Sequence, residues 1–328
     1  MRVLVTGAAG FVGRHLTRLL ARQGHEVIGV GRRDAAVAEP PDDLAEYRML
    51  DLTDGAGTAR LVRDLRPDRV VHLAADASVA ASWAAPRETI ERNTAGALNL
   101  LEAVRREAPD AAVLVACSGE AYGPVPSRRL PIEEGEPLRP QNPYAVSKAS
   151  VDLLAGFYAD AHGLSVLRAR AFNHAGPGQS DAYVVSSFAR QVAEAEARAA
   201  RGDDPGEIVT GNLAPKRDVT DVRDVARAYD AALEGGLTGP VNVCSGRGVP
   251  VAELLEGLLD QASVPVRHRE DSARARPHEV MEVRGSHRRL TEATGWRPEV
   301  PLERTLADTL DWWRERVVAS RPPAEARA

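Results

Sequence analysis

Tyr144 and Lys148 stand four residues apart, directly after Asn142-Pro143, so a phenol and an ammonium leave the same face of a helix one turn apart. A tyrosine hydroxyl titrates near ~10, and a fixed positive charge a few ångströms away favours the phenolate, letting that oxygen exchange protons near neutrality. This is the chemistry of a general acid/base. A helix with one buried Tyr and one exposed Lys would show the same spacing. Accident is a poor account here: Lys148 and Lys216 are the only lysines among 42 basic residues, and with 6 tyrosines on the order of 0.04 chance Tyr-x-x-x-Lys matches are expected. A chain so committed to arginine has placed a compact ammonium on a flexible stem where a guanidinium fork would not serve.

The elements that must position this pair read as strand, turn and helix in alternation. Residues 2–6 form an apolar, β-branched run that passes into Gly7-Ala8-Ala9-Gly10-Phe11-Val12-Gly13 and then into a helical pattern. In that context Gly7 permits a tight turn, Gly10 lets a pyrophosphate approach the backbone, and Gly13 lets the helix pack close to the strand, with Phe11 and Val12 in its first turn. An ordinary βα turn is the competing account. The second strand, 26–30, ends at Gly31-Arg32-Arg33, where an NAD-selective site would place an acid for the ribose 2′-hydroxyl. Two arginines suit a 2′-phosphate instead, so NADP(H) is the expected cofactor and NAD(H) the secondary one, unless both are solvated loop charges. Asp51, followed by Leu52, closes a third strand at 47–50 and could reach the adenine, although an Asp before a turn needs no such reason.

A fourth strand, 69–73, ends in His72-Leu73-Ala74-Ala75, whose small residues leave room for a cofactor; His72 itself reads as a core histidine. A helix over 87–105 carries Asn93 on its apolar face. The run 112–116 reads as a central parallel strand ending at Cys117-Ser118-Gly119-Glu120. Ligands bind at the carboxyl ends of such strands, so Ser118 is expected beside the nicotinamide, where Ser118, Tyr144 and Lys148 can polarise a carbonyl, supply its proton and hold the cofactor ribose. Ser118 could also be a turn serine. Glu120 is either a second acid/base or a carboxylate that orders the loop.

Composition narrows the class. A net charge of −5 over 328 residues, with arginines interleaved among 47 acids, argues against a nucleic-acid surface. No apolar run approaches the roughly 20 residues that cross a bilayer, and the start reads as a strand, so a soluble, cytoplasmic protein is expected. Cys117 and Cys244 sit in apolar runs as small core residues. No grouping has metal-ligand spacing.

The order Gly7-x-x-Gly10-x-x-Gly13, Ser118, Tyr144-x-x-x-Lys148 resembles the extended short-chain dehydrogenase/reductase superfamily across nearly the whole chain. Ala171-Phe172-Asn173-His174-Ala175-Gly176-Pro177-Gly178-Gln179, the segments 211–218 and 241–246, and Arg276-Pro277-His278-Glu279-Val280 are similar to its GDP-sugar branch of GDP-4-dehydro-6-deoxy-D-mannose reductases and GDP-mannose 4,6-dehydratases. The resemblance implies reduction of a GDP-linked 4-keto sugar, with a 4,6-dehydratase as the alternative, and a homodimer built on helices around 87–105 and 144–162. Leu98, Leu101, Val151 and Leu154 give those helices more apolar surface than one sheet face requires. In the second half Asn173 can hydrogen-bond sugar or phosphate. Arg217 and Arg276 are candidates for the diphosphate, with a structural pairing of Arg217 to Asp218 or Asp221 as the other account. Glu279 can accept from N1–H and N2–H of guanine. The expected architecture is α/β: a Rossmann-type doubly wound parallel sheet over 1–170, to which 218–245 returns, a smaller C-terminal substrate domain over 171–319, and a disordered tail at 320–328.

Overall fold

A computed structural model describes residues 1–32, 40–271 and 280–319. In chain order its elements are β1 (Arg2–Thr6), α1 (Phe11–Arg22), β2 (Glu26–Gly31), β3 (Glu46–Met49), α2 (Gly55–Leu65), β4 (Arg69–His72), α3 (Val79–Ala84), α4 (Pro86–Glu107), β5 (Ala112–Ser118), α5 (Pro143–His162) and β6 (Val166–Ala171). There follow β7 (Asn173–Ala175), α6 (Val184–Ala199), β8 (Glu207–Thr210), β9 (Lys216–Arg217), β10 (Val219–Asp221), α7 (Val222–Glu234), β11 (Gly239–Val243) and β12 (Val249–Pro250). The last are α8 (Val251–Leu259), β13 (Arg267–Glu270), α9 (Arg288–Thr294) and α10 (Leu302–Ala319). The chain divides into two units: Met1–Phe172 with Val222–Gly246 and Gly285–Arg297, and Asn173–Asp221 with Arg247–Arg284 and the segment from Pro298.

The first unit is a seven-stranded parallel sheet of order β11-β6-β5-β4-β1-β2-β3, a Rossmann-type doubly wound arrangement. Successive side chains of a strand face opposite ways, and both faces here are apolar because helices cover both. Leu4, Ile28, Val70, Val113 and Val115 pack with α2, α4 and α5. Val3, Val5, Val27, Val71 and Leu114 pack with α1, α7 and α9. The second unit centres on α6, α8 and α10, whose Phe188, Val192, Leu254, Leu258, Leu306 and Leu310 enclose Ile208 of the parallel pair β8–β13. Trp313 packs into this core and donates its indole N–H to Ser186 Oγ at 2.8 Å.

Three expectations are corrected. Of the segment 218–245, Val219–Asp221 does not join the large sheet: it pairs with Asn173–Ala175, and the buried Asp221 carboxylate accepts from Thr305 Oγ1 of α10 at 2.8 Å, in the second unit. The strand that completes the sheet is β11. Gly285–Arg297, assigned by sequence to the second half, belongs to the first unit, anchored by buried Leu290 and by Trp296, whose indole donates to Asp224 O at 3.1 Å. Leu101 and Val151 are core residues rather than surface, because α4 and α5 pack on each other as well as on the sheet. Leu154 is partly buried against the same core, while Leu98 is exposed. The expected tail, 320–328, lies outside the described residues.

Candidate active site

At the carboxyl edge of the sheet the turn between β1 and α1 is built as its glycines require. Gly7 has φ +72° and donates to Val30 O at 2.7 Å; a Cβ there would stand 2.8 Å from Ala74 N. The ends of β1 and β4 are thus in contact, and Ala74 N donates to Thr6 Oγ1 at 3.3 Å. At Gly13 a Cβ would sit 2.2 Å from Gly7 O and 2.6 Å from Ala8 O, so only glycine lets α1 start this close to the turn. Helix α1 begins with no side-chain cap and no acid in its first turn, Phe11 and Val12 being its first residues. An uncapped N-terminus over a glycine turn fits a dinucleotide pyrophosphate, whose charge complements the helix dipole.

The adenosine end of such a ligand would meet the loops after β2, β3 and β4. Arg32 donates to Asp76 Oδ1 at 2.9 Å, and Arg92 lies 3.8 Å from the other carboxylate oxygen. Asp51 accepts from the Thr53 amide at 2.9 Å and from its hydroxyl at 2.8 Å; those bonds lower its pKa, with Arg32 and Arg92 adding to the shift. Leu52 is buried, and Leu73 and Ala75 are partly so. Arg33 lies outside the described residues.

Ser118 is the last residue of β5, and its Oγ accepts from Glu120 N at 3.2 Å as the chain enters a tight turn over Gly119–Tyr122. Asn142 caps α5 by accepting from Ala145 N at 2.8 Å, while its amide donates to Glu120 Oε2 at 3.4 Å. One residue thereby starts the helix and holds the neighbouring carboxylate. Tyr144 is half-buried in the first turn of α5. Lys148, 5% exposed, donates to Ala116 O at 2.7 Å, two residues before Ser118 on β5. The same helix is tied to α4 by Asn93, whose buried amide donates to Ser147 Oγ at 2.9 Å.

Burial sets the electrostatics. Lys148 is pulled down to about 8, against a smaller opposing effect of Cys117. His72 is driven to about 3 by burial and then by the Lys148 charge, so it is a neutral core residue whose Nδ1 lies 2.8 Å from Thr6 Oγ1. The Tyr229 phenol is raised, first by burial and then by the charge of Tyr144. With only two lysines in the chain, the Lys148 shift can be read directly: lysine labelled at Cε should give two resonances, of which one, lost in Lys148→Arg, titrates with a midpoint near 8. Between about 8 and the unfolded value near ~10.4 the unfolded chain binds the extra proton, so this group makes stability rise with pH across that window.

In the second unit Asn173 opens β7 opposite Val219, and Arg217 of β9 donates to Lys216 O at 3.0 Å and Val280 O at 2.8 Å. Arg276 and Glu279 lie outside the described residues. Asn142, Asp76 and the anchoring role of Asn93 were not assigned from sequence; for Asn142 the signal was present, since Asn before Pro is a helix start. Among the described residues no group of His, Cys, Asp and Glu could hold a metal ion, and no helix is long and apolar enough to cross a membrane.

The family model for GDP-mannose 4,6 dehydratase matches residues 4–309. The GDP-6-deoxy-D-mannose reductase of Pseudomonas aeruginosa is 38% identical over 317 residues, 96% of this chain and 98% of that protein. Among solved structures, that of RMD from Pseudomonas aeruginosa complexed with NADPH has a TM-score of 0.80 at 36% identity, covering 96% of this chain and 99% of the other. The UDP-glucose 4-epimerase of Thermus thermophilus in complex with NAD has a TM-score of 0.84 at 33% identity, covering 96% of this chain and 99% of the other.

Proposed function

This chain belongs to the GDP-mannose 4,6 dehydratase family, and from that membership we propose that it is an NAD(P)-dependent nucleotide-sugar oxidoreductase. It reduces the 4-keto group of GDP-4-dehydro-6-deoxy-D-mannose and yields a GDP-6-deoxyhexose such as GDP-D-rhamnose. NADPH is the preferred cofactor and NADH a possible one. The first unit takes the cofactor through Gly7, Gly10, Gly13 and Arg32; the second takes the GDP-sugar through Asn173 and Arg217, with Arg276 and Glu279 in the same role. When bound, NADPH supplies the hydride for the ketone carbon. Tyr144 donates its phenolic proton to the carbonyl oxygen, and the Ser118 hydroxyl, whose oxygen already accepts from Glu120 N, turns its proton to that same oxygen. Lys148 stabilises the phenolate left behind and reaches the cofactor ribose. Asn142 holds Glu120, the candidate for a second acid/base beside the substrate.

The observation that favours reductase over dehydratase is at Gly119. A dehydratase must remove the C5 proton and assist loss of the C6 hydroxyl, so it needs a second proton donor beside Glu120. Gly119 carries no side chain to serve as that donor, and a Cβ there would stand 3.0 Å from the Phe172 ring, so any side chain would first have to displace that ring. The expected outcome is therefore consumption of one NADPH per GDP-4-dehydro-6-deoxy-D-mannose, followed at the nicotinamide absorbance band. Conversion of GDP-mannose to the 4-keto sugar with no net NADPH oxidation would promote the dehydratase.

The protein works in the cytoplasm, which suits the buried thiols of Cys117 and Cys244. It works as a homodimer through α4 and α5, where Leu153 and Phe157 are 65% and 55% exposed and Leu98 lies on the neighbouring helix surface. Leu153→Asp with Phe157→Asp should sediment as a monomer at concentrations where the unchanged chain is a dimer. A monomeric unchanged chain refutes this assembly.

A further inference from the structure

We infer that Asp76 sets the balance between NADPH and NADH by acting as an internal counter-ion for Arg32. This deepens the proposed function and rests on its cofactor assignment.

The carboxylate of Asp76 is held by structure and is not a loose loop charge. Buried Asn93 clamps the Asp76 backbone on both sides, accepting from its N–H at 2.8 Å and donating to its carbonyl at 3.2 Å. The same amide is fixed to α5 through Ser147. The side chain is therefore set between two guanidiniums, Arg32 at 2.9 Å and Arg92 at 3.8 Å, with Asp51 close enough to feel both. Among the described residues, two cations and two anions meet where β2, β3 and β4 end, and their charges balance.

A 2′-phosphate entering that patch must draw Arg32 away from Asp76 and sit beside a like charge. A 2′-hydroxyl demands neither, because the Arg32–Asp76 pair stays intact. Asp76 thus opposes NADPH selectively and keeps the site open to NADH. Arg32 supplies the preference and Asp76 limits it.

The test is calorimetric binding of NADPH and of NADH, at one ionic strength, to the unchanged chain and to Asp76→Asn, Asp76→Glu, Arg32→Ala and the Asp76→Asn/Arg32→Ala pair. Asp76→Asn keeps the side-chain shape and leaves the Asn93 clamp on the backbone untouched. NADPH should bind about two- to fivefold more tightly to Asp76→Asn, the scale of partly exposed charge pairs, with the affinity for NADH unchanged. Asp76→Glu should retain the original ratio, and the gain should vanish in the pair. An unchanged ratio in Asp76→Asn, or weaker NADPH binding, overturns the inference while Arg32→Ala still weakens NADPH alone. If Arg32→Ala leaves NADPH unaffected, the cofactor assignment itself fails, and the inference with it.

Discussion

Tyr144→Phe is expected to bind NADPH as the unchanged chain does and to melt at the same temperature, while kcat for the 4-keto sugar falls by ~10² to 10⁴, the usual worth of a positioned proton donor. The ring of Tyr144 is half-buried in the first turn of α5 and a phenylalanine ring fills the same space. The hydroxyl alone is removed. Because that hydroxyl acts only as the carbonyl becomes an alkoxide, the loss belongs in kcat and kcat/KM alike, with KM little changed. Steady-state rates at saturating NADPH measure it, and a kcat within about threefold of the original would exclude Tyr144 as the proton donor. Lys148→Met provides the contrast. Removing a buried ammonium that donates to Ala116 O should weaken cofactor binding as well as turnover, since that group is assigned to both the phenolate and the ribose.

The parts of the molecule that were legible in the sequence are those whose cause is local. A glycine turn between a β-branched run and an amphipathic helix specifies β1, the turn and α1 within a short stretch of chain, and Asn142-Pro143 fixes where α5 starts. The parallel sheet was legible because both its faces are covered, which makes strands such as β5 continuously apolar. What was hidden depends on partners far along the chain. Nothing in Val219–Asp221 says that it will pair with Asn173–Ala175, since three residues carry too little pattern to choose a sheet. Leu101 and Val151 seemed surplus when counted against one sheet face, but α4 and α5 bury them against each other as well. Arg168 and Arg170 alternate with apolar neighbours in β6, and Arg170 is buried in the folded unit. A buried ion pair is invisible until its partner's position is known, and here the partner is Asp152, sixteen and eighteen residues away.

That pair carries the second large expected effect. Asp152 is fully buried on the α5 face that also bears Tyr144 and Lys148, at successive intervals of four residues. Its carboxylate accepts from Arg170 Nε at 2.7 Å and from a second nitrogen of the same guanidinium at 2.9 Å, and also from Arg168 at 3.0 Å. Arg170 continues the network, donating to Tyr122 Oη and to Glu134 O, each at 3.0 Å. Tyr122 in turn donates to Asn242 Oδ1 at 2.7 Å, and the Asn242 amide donates to Ile132 O at 2.9 Å. Helix α5, β6, β11 and the turn that follows Ser118 are therefore joined through one carboxylate. Asp152→Ala leaves two guanidiniums without their counter-ion, one of them in the core, and is expected to cost ~3–5 kcal/mol, the range found when one partner of a buried pair is removed. Urea unfolding at a fixed chain concentration measures it. Arg170→Lys keeps the charge but loses the two-pronged grip on Asp152 and with it the bond to Tyr122. Assayed well below its melting temperature, this variant should stay folded and bind NADPH normally, yet turn over more slowly, because the Ser118–Tyr122 turn is no longer fixed to α5. A loss below about 1 kcal/mol in Asp152→Ala would mean that the network stabilises nothing. Unchanged turnover in Arg170→Lys would mean that it does not hold Ser118 in register with Tyr144.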